Sequence, residues 1–90
     1  MVVLLFRVSA RTHPHDVAQM VKAGLAADDG EVILRAIGPR AVNQAVKGVI
    51  VARQAMQGEG RDLAVVPALC RVEGDGGTVV AAIELAIKRR

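Results

Sequence analysis

Apolar residues recur along this chain with two different periods, and the switches between them mark out its elements. Over Val2–Ser9 they alternate as on a strand: Val2, Leu4, Phe6 and Val8 share one face, Val3, Leu5, Arg7 and Ser9 the other. From Val17 the period becomes helical. Val17, Met20, Val21, Gly24 and Leu25 share one side of a helix that opens near Pro14. Thr12 or His13 is placed at its cap, Asp16 favours its dipole, and Asp28-Asp29-Gly30 ends it. Glu31–Ile37 reads as a second strand. A second helix is predicted from about Pro39 to Gln57, stopped by Gly58-Glu59-Gly60, with Val42, Ala45, Val46, Val49, Ile50 and Met56 as its core face. Asp62–Glu73 and Thr78–Ile87 read as two more strands, joined by the hairpin signal Gly74-Asp75-Gly76-Gly77. Val79, Ala81, Ile83, Leu85 and Ile87 line one face of the last strand.

The order β-α-β-α-β-β restricts the fold. Right-handed crossovers place both helices on one face of one sheet, which predicts an α/β fold, a two-layer α/β sandwich. Pro67 lacks a ladder donor and belongs at a sheet margin, so the third strand is expected outermost. The result is a mixed sheet of order 1-2-4-3, with the fourth strand antiparallel to the others. The helix-free face then carries Arg7, Arg35 and Glu84 among Leu5, Ile33, Val80 and Ala82, and Glu84 is placed to pair with either arginine. Such a face is either solvated or covered by another subunit. Neither linker, repeat nor low-complexity tract interrupts the chain, and residues 1–90 read as one domain.

Composition adds a constraint on the core. With one Phe and no Trp or Tyr, it is built from Val, Leu, Ile and Ala, and a homodimer or tetramer is the expected source of further stability. The net charge of +3 permits a nucleic acid or an acidic partner without demanding one. The single cysteine excludes an internal disulfide, and its setting, Ala68-Leu69-Cys70, predicts a buried, inert thiol. No apolar stretch reaches membrane-spanning length, and the first residues lack the order of a signal peptide, so a cytoplasmic protein is expected. His13 and His15 flank Pro14 but do not complete a metal site with Asp16; capping and exposure are expected of them. Ser9, Cys70 and the two histidines do not assemble a nucleophile with its base and orienting group. No catalytic residue, cofactor, metal or small-molecule substrate is therefore expected. A small enzyme acting on an anionic metabolite would require a defined deep pocket at the basic rim described next.

The candidate chemistry lies in Ala36–Lys47. Gly38 turns the chain, Pro39 fits a first helical turn, and Arg40, Asn43, Gln44 and Lys47, spaced i, i+3, i+4 and i+7, form one polar stripe that Val51 continues. A solvated helix face, a phosphate-binding surface and a subunit interface all suit such a stripe. Because the first two strands are parallel, they end at the same rim, which gathers Arg11, His13, His15 and Arg40 beside two helix N-termini. The opposite rim is expected to be acidic, with Asp28, Asp29, Glu31, Glu59 and Asp62, although the basic tail Lys88-Arg89-Arg90 ends near it. Phosphates of a nucleic acid suit the basic rim. Arg53, on the apolar side of the second helix, is expected to pair with Glu59 or Asp62, and Gly24 and Gly48 to allow close helix packing.

Several of these segments resemble the stage V sporulation protein S family, which has an Alba-like fold. They are Val8-Ser9-Ala10 before a proline-opened helix, Ala36-Ile37-Gly38, Ala41-Val42-Asn43-Gln44-Ala45-Val46-Lys47, Ile50-Val51-Ala52-Arg53, and Asp62 to Ala68 ending Val66-Pro67-Ala68. The resemblance implies a cytoplasmic, dimeric or larger protein with a role in sporulation and septation control. By analogy with Alba proteins it also implies nucleic-acid binding, as DNA-binding or RNA-binding regulators do. Alba proteins use basic residues after strand one, the start of helix two, and an extended hairpin that reaches into the minor groove. Carried over by position, the first set becomes Arg7, Ser9 and Arg11, and the second Arg40, Asn43 and Lys47. Arg40 departs from the family's glycine-rich turn. The hairpin here reads as short and acidic, so groove insertion is not expected. The alternative is a protein-interaction or scaffolding module in septation or spore assembly, using the open sheet face and the Val51 stripe.

Overall fold

The computed structural model describes residues 2–27 and 29–90. Asp28, read above as part of a helix stop and of the acidic rim, lies outside the described residues. The elements are β1 (Val2–Val8), α1 (Pro14–Gly24), β2 (Gly30–Ala36), α2 (Pro39–Gly58), β3 (Leu63–Glu73) and β4 (Val79–Arg89), with a short 3-10 turn at Asp75–Gly77. The sheet order is β1-β2-β4-β3; β1 runs parallel to β2, and β4 is antiparallel to both of its neighbours. Pro67 sits in the outermost strand, opposite Leu85. Both helices pack on one face, over Val8, Val32, Leu34, Ala36, Leu85 and Ile87.

Local chemistry sets the helix ends. At the start of α1, His13 Nδ1 accepts a hydrogen bond from the His15 backbone N–H at 3.1 Å, and Pro14 fills the first turn. At its end, Arg89 donates from Nε to the Leu25 carbonyl at 2.8 Å and from a terminal nitrogen to the Ala26 carbonyl at 3.1 Å. A cation thereby sits on the negative end of the α1 dipole.

The core face of α2 differs from the one expected. Ala41, Ala45, Gly48, Val49, Ala52 and Met56 are buried, whereas Val46 and Ile50 are 41% and 49% exposed and Val42 is half-buried. Val51, read as part of the polar stripe, instead packs half-buried against the core. The cause is how closely the helices approach. A Cβ placed on Gly48 would lie 2.3 Å from Val17 Cβ and 2.9 Å from the Pro14 carbonyl oxygen. Only small side chains fit that seam, so the helix turns its alanines and Gly48 inward and its larger aliphatics outward. Gly24 makes a similar approach to the sheet, where a Cβ would lie 2.1 Å from a methyl of Val32.

The hairpin also differs. The β2–β4 ladder ends at Ala36↔Ile83, but the β3–β4 ladder continues to Glu73↔Val79. Cys70–Glu73 and Val79–Ala82 therefore pair only with each other and project past the end of β2 as an arm. The turn itself is short, as its glycines suggest; the strands that carry it are 11 residues each. Cys70 is half-buried rather than buried, because its register partner is Ala82 and it stands on the face that the helices do not cover, beside Arg35.

Among the described residues, the carboxylates Glu31, Glu59 and Asp62 of the rim opposite the helix starts are matched by cations. Arg53 binds Asp62 through two hydrogen bonds of 2.7 and 3.2 Å, Arg61 pairs with Glu59, and Lys88 lies 3.5 Å from Glu31. Both helices end there, and their negative dipole ends favour cations. The Arg53 guanidinium, followed by the Leu63 N–H, pulls the Asp62 pKa down from 3.8 to about 2. This contribution to stability is complete above the unfolded-state value and is lost as pH falls towards 2. Asp62→Asn is expected to flatten the dependence of stability on pH between those limits, measured by urea denaturation. An unchanged pH profile would remove the pair from the fold's acid sensitivity.

Candidate nucleic-acid interface

Register places the two helix starts together. Val8 pairs with Ala36, so β1 and β2 stop at one level and their outgoing loops share a margin. The first loop is a tight turn. The Ser9 N–H donates to Thr12 Oγ1 at 2.9 Å, the Thr12 N–H to the Ser9 carbonyl at 3.1 Å, and the Arg11 N–H to Ser9 Oγ at 3.2 Å. The Ser9 hydroxyl is thus already engaged in shaping the loop that presents Arg11. Gln44 Nε2 donates to the Thr12 carbonyl at 3.0 Å and ties α2 to this turn. Within the polar stripe Gln44 is a brace, while Arg40, Asn43 and Lys47 remain exposed.

The two helix N-termini are not equivalent. His13 caps α1 with its own side chain, whereas α2 starts at Gly38, whose φ of +88° suits glycine and whose missing side chain provides no cap. The first-turn N–H groups of α2 therefore face outward beside Arg40, an arrangement that favours anions. Lys47 lies two helical turns further on, roughly 10 Å along the axis. Arg11, Arg40 and Lys47 have no carboxylate partner among the described residues.

The structure divides the six expected contact residues. Arg11, Arg40, Asn43 and Lys47 belong to the helix-start margin. Arg7 points to the helix-free face, where strand alternation aligns it with Arg35, and lines a separate cavity with Ser9. On that face Arg35 bonds Glu84 at 2.8 Å, its register partner on β4, and this pairing raises the Arg35 pKa. Arg7 is one strand further from Glu84 and is left out. Asn43 also borders an apolar groove between α2 and the arm, lined by Val42, Val46, Leu69 and Ile83. Sequence reasoning missed Arg71, which stands exposed on the projecting arm opposite Ala81. Its signal was a cation within the strand leading into the hairpin, obscured by the acidic residues Glu73 and Asp75.

Two comparisons agree with this architecture. The family model for stage V sporulation protein S matches residues 4–90. Among solved structures, Alba from Thermoplasma volcanium superposes with a TM-score of 0.61 over 98% of this chain and 99% of that one, at 15% identity. That likeness is one of fold.

Proposed function

Since the chain belongs to the stage V sporulation protein S family, we propose that it acts in sporulation as a non-enzymatic regulator that binds nucleic acid by its phosphates. The supporting observation is the margin where the uncapped start of α2 lies beside Arg11 and Arg40, with Lys47 two turns along the same helix, all three cations without a carboxylate partner among the described residues. Asn43 adds a neutral donor, and Arg7 and Ser9 extend the contact around the β1 end. Sequence preference is weak in this reading. No Phe, Tyr or Trp is present at the margin for base stacking, and phosphate contacts carry no base information.

Duplex DNA and duplex RNA, each titrated with the protein at rising salt, test the proposal. Four phosphate contacts, from Arg11, Arg40 and Lys47 with Arg7, are expected to make log K fall against log salt with a slope of about −3.6 for DNA. Absent binding at low salt, or affinity indifferent to salt, overturns it.

The groove between α2 and the arm supports a homodimer or tetramer. Val46, Ile50 and Leu69 are exposed there or beside it, without a charged side chain lining the groove, and a second copy of this chain is the occupant we infer. Val46→Lys is expected to shift the protein to its monomer mass in light scattering while the fold persists. If the mass is unchanged, the groove does not hold the second copy, and the scaffolding alternative, in which another protein occupies it, becomes the better reading.

A further inference from the structure

Past Ala36, where β2 stops, the sheet has a gap. On one side stands the turn Ser9–Thr12 that leaves β1, and on the other the arm that carries β3 on to Glu73. Between them lies a notch of about 460 Å³, within the range of small-ligand sites, bordered by both and by Ile37 directly after β2. Arg7 and Arg35 line it from the helix-free face.

Charge on that face does not cancel. Alternation places Arg7, Glu31, Arg35, Glu84 and Lys88 on it. Glu84 Oε2 accepts from Arg35 Nε at 2.8 Å and from a terminal nitrogen at 2.7 Å, and Lys88 lies beside Glu31. Arg7 is the cation left over. It has no partner among the described residues, and as the register neighbour of Arg35 it stands about 5 Å from it at the backbone. Glu73 borders the notch through β3, but alternation turns its carboxylate to the helix side, opposite Val72. The notch therefore offers an unpaired guanidinium beside an apolar shelf of Val72 and Ile37, the latter 49% exposed. A nucleotide that ends a strand suits both, with a phosphate for the guanidinium and a sugar and base for the shelf.

The walls decide which phosphate reaches Arg7. Arg11, Arg40 and Lys47 lie on an exposed edge, along which a strand can continue in both directions. A strand that passes Arg11 around the turn into the notch runs against the arm. We propose that the notch takes the end of a nucleic-acid strand, Arg7 binding its terminal phosphate monoester and Val72 and Ile37 its last nucleoside. A monoester carries up to about one more negative charge than an internal diester, which suits the surplus cation. The inference rests on the proposed binding at the helix-start margin, which brings the strand there.

Fluorescence anisotropy on the full chain tests it with one short duplex, labelled internally and ending in hydroxyls, in 5′-phosphates or in 3′-phosphates. At least one phosphorylated form is expected to bind about tenfold more tightly than the hydroxyl-ended form, and it identifies which end enters the notch. Arg7→Gln is expected to bring the three forms to one affinity. Lys47→Glu is expected to weaken all three by about tenfold and to keep their ratio, which separates an end site from a general attraction to added charge. Circular dichroism confirms that each variant is folded. Three equal affinities in the parent protein overturn the inference. So does a preference that survives Arg7→Gln, or one that Lys47→Glu removes equally well. If binding remains salt-dependent through those failures, only the notch assignment is lost. If no form binds, the margin reading fails, and the notch assignment fails with it.

Discussion

Gly48→Ala is expected to destabilise the fold by about 2 kcal/mol net, although alanine is the better helix former. Alanine in place of glycine inside a helix contributes up to about 1 kcal/mol. Against this, the new methyl would sit 2.3 Å from Val17 Cβ, 2.4 Å from its Cγ1 and 2.9 Å from the Pro14 carbonyl oxygen. Relieving such overlaps requires the helices to separate, and overpacking of this kind costs about 3 kcal/mol at the upper end of its usual range. The overlap therefore wins. Truncating Val17 to alanine should not rescue the variant, because Val17 Cβ itself is among the atoms met. Gly58→Ala, where a methyl meets nothing within 4 Å, is the matched control and should be neutral or mildly stabilising. Urea denaturation of the three variants decides the matter. A Gly48→Ala protein as stable as the parent would mean that the α1–α2 seam is looser than described.

Reversing charge at the helix-start margin is expected to give the largest effect on binding. The doubly substituted protein Arg40→Glu, Lys47→Glu should lose about 100-fold in affinity for duplex nucleic acid at low salt, roughly tenfold for each charge-assisted contact. Each lost contact should also lower the salt slope by about 1. Both residues are exposed and without carboxylate partners among the described residues, so the melting temperature should be unaffected. Fluorescence anisotropy across a salt series measures both quantities. A loss smaller than about threefold, with the slope intact, would move the interface away from the start of α2.

Much of the fold was legible because a few residues restrict topology strongly. Pro67 assigned β3 to the margin, right-handed crossovers assigned the helices to one face, and together they fixed the order β1-β2-β4-β3. The inward face of α2 was not legible from hydrophobicity. Val46 and Ile50 outrank Ala41, Gly48 and Ala52 on any transfer scale, yet a close helix crossing selects for size, and the partner's distance is not written in the helix's own residues. The arm escaped notice for a related reason. Glycines mark where a hairpin turns, but how far its strands outrun a neighbour depends on where β2 stops. The resemblance grouped Arg7 with Ser9 and Arg11, while alternation along β1 aligns its side chain with Arg35 on the helix-free face, so Arg7 stands around the β1 end from Arg11.

Pro67 has a consequence for how many copies can join. It has no amide hydrogen to offer a further strand, so the free side of β3 presents a broken row of donors, while β1 at the far side is intact. Head-to-tail lengthening of the sheet would need both sides to accept a neighbour. With pairing along β3 disfavoured, backbone pairing favours joining two β1 strands about a two-fold axis, which closes on itself after a single step. The architecture thereby discourages open-ended fibres, and it leaves larger complexes to be built from side-chain surfaces.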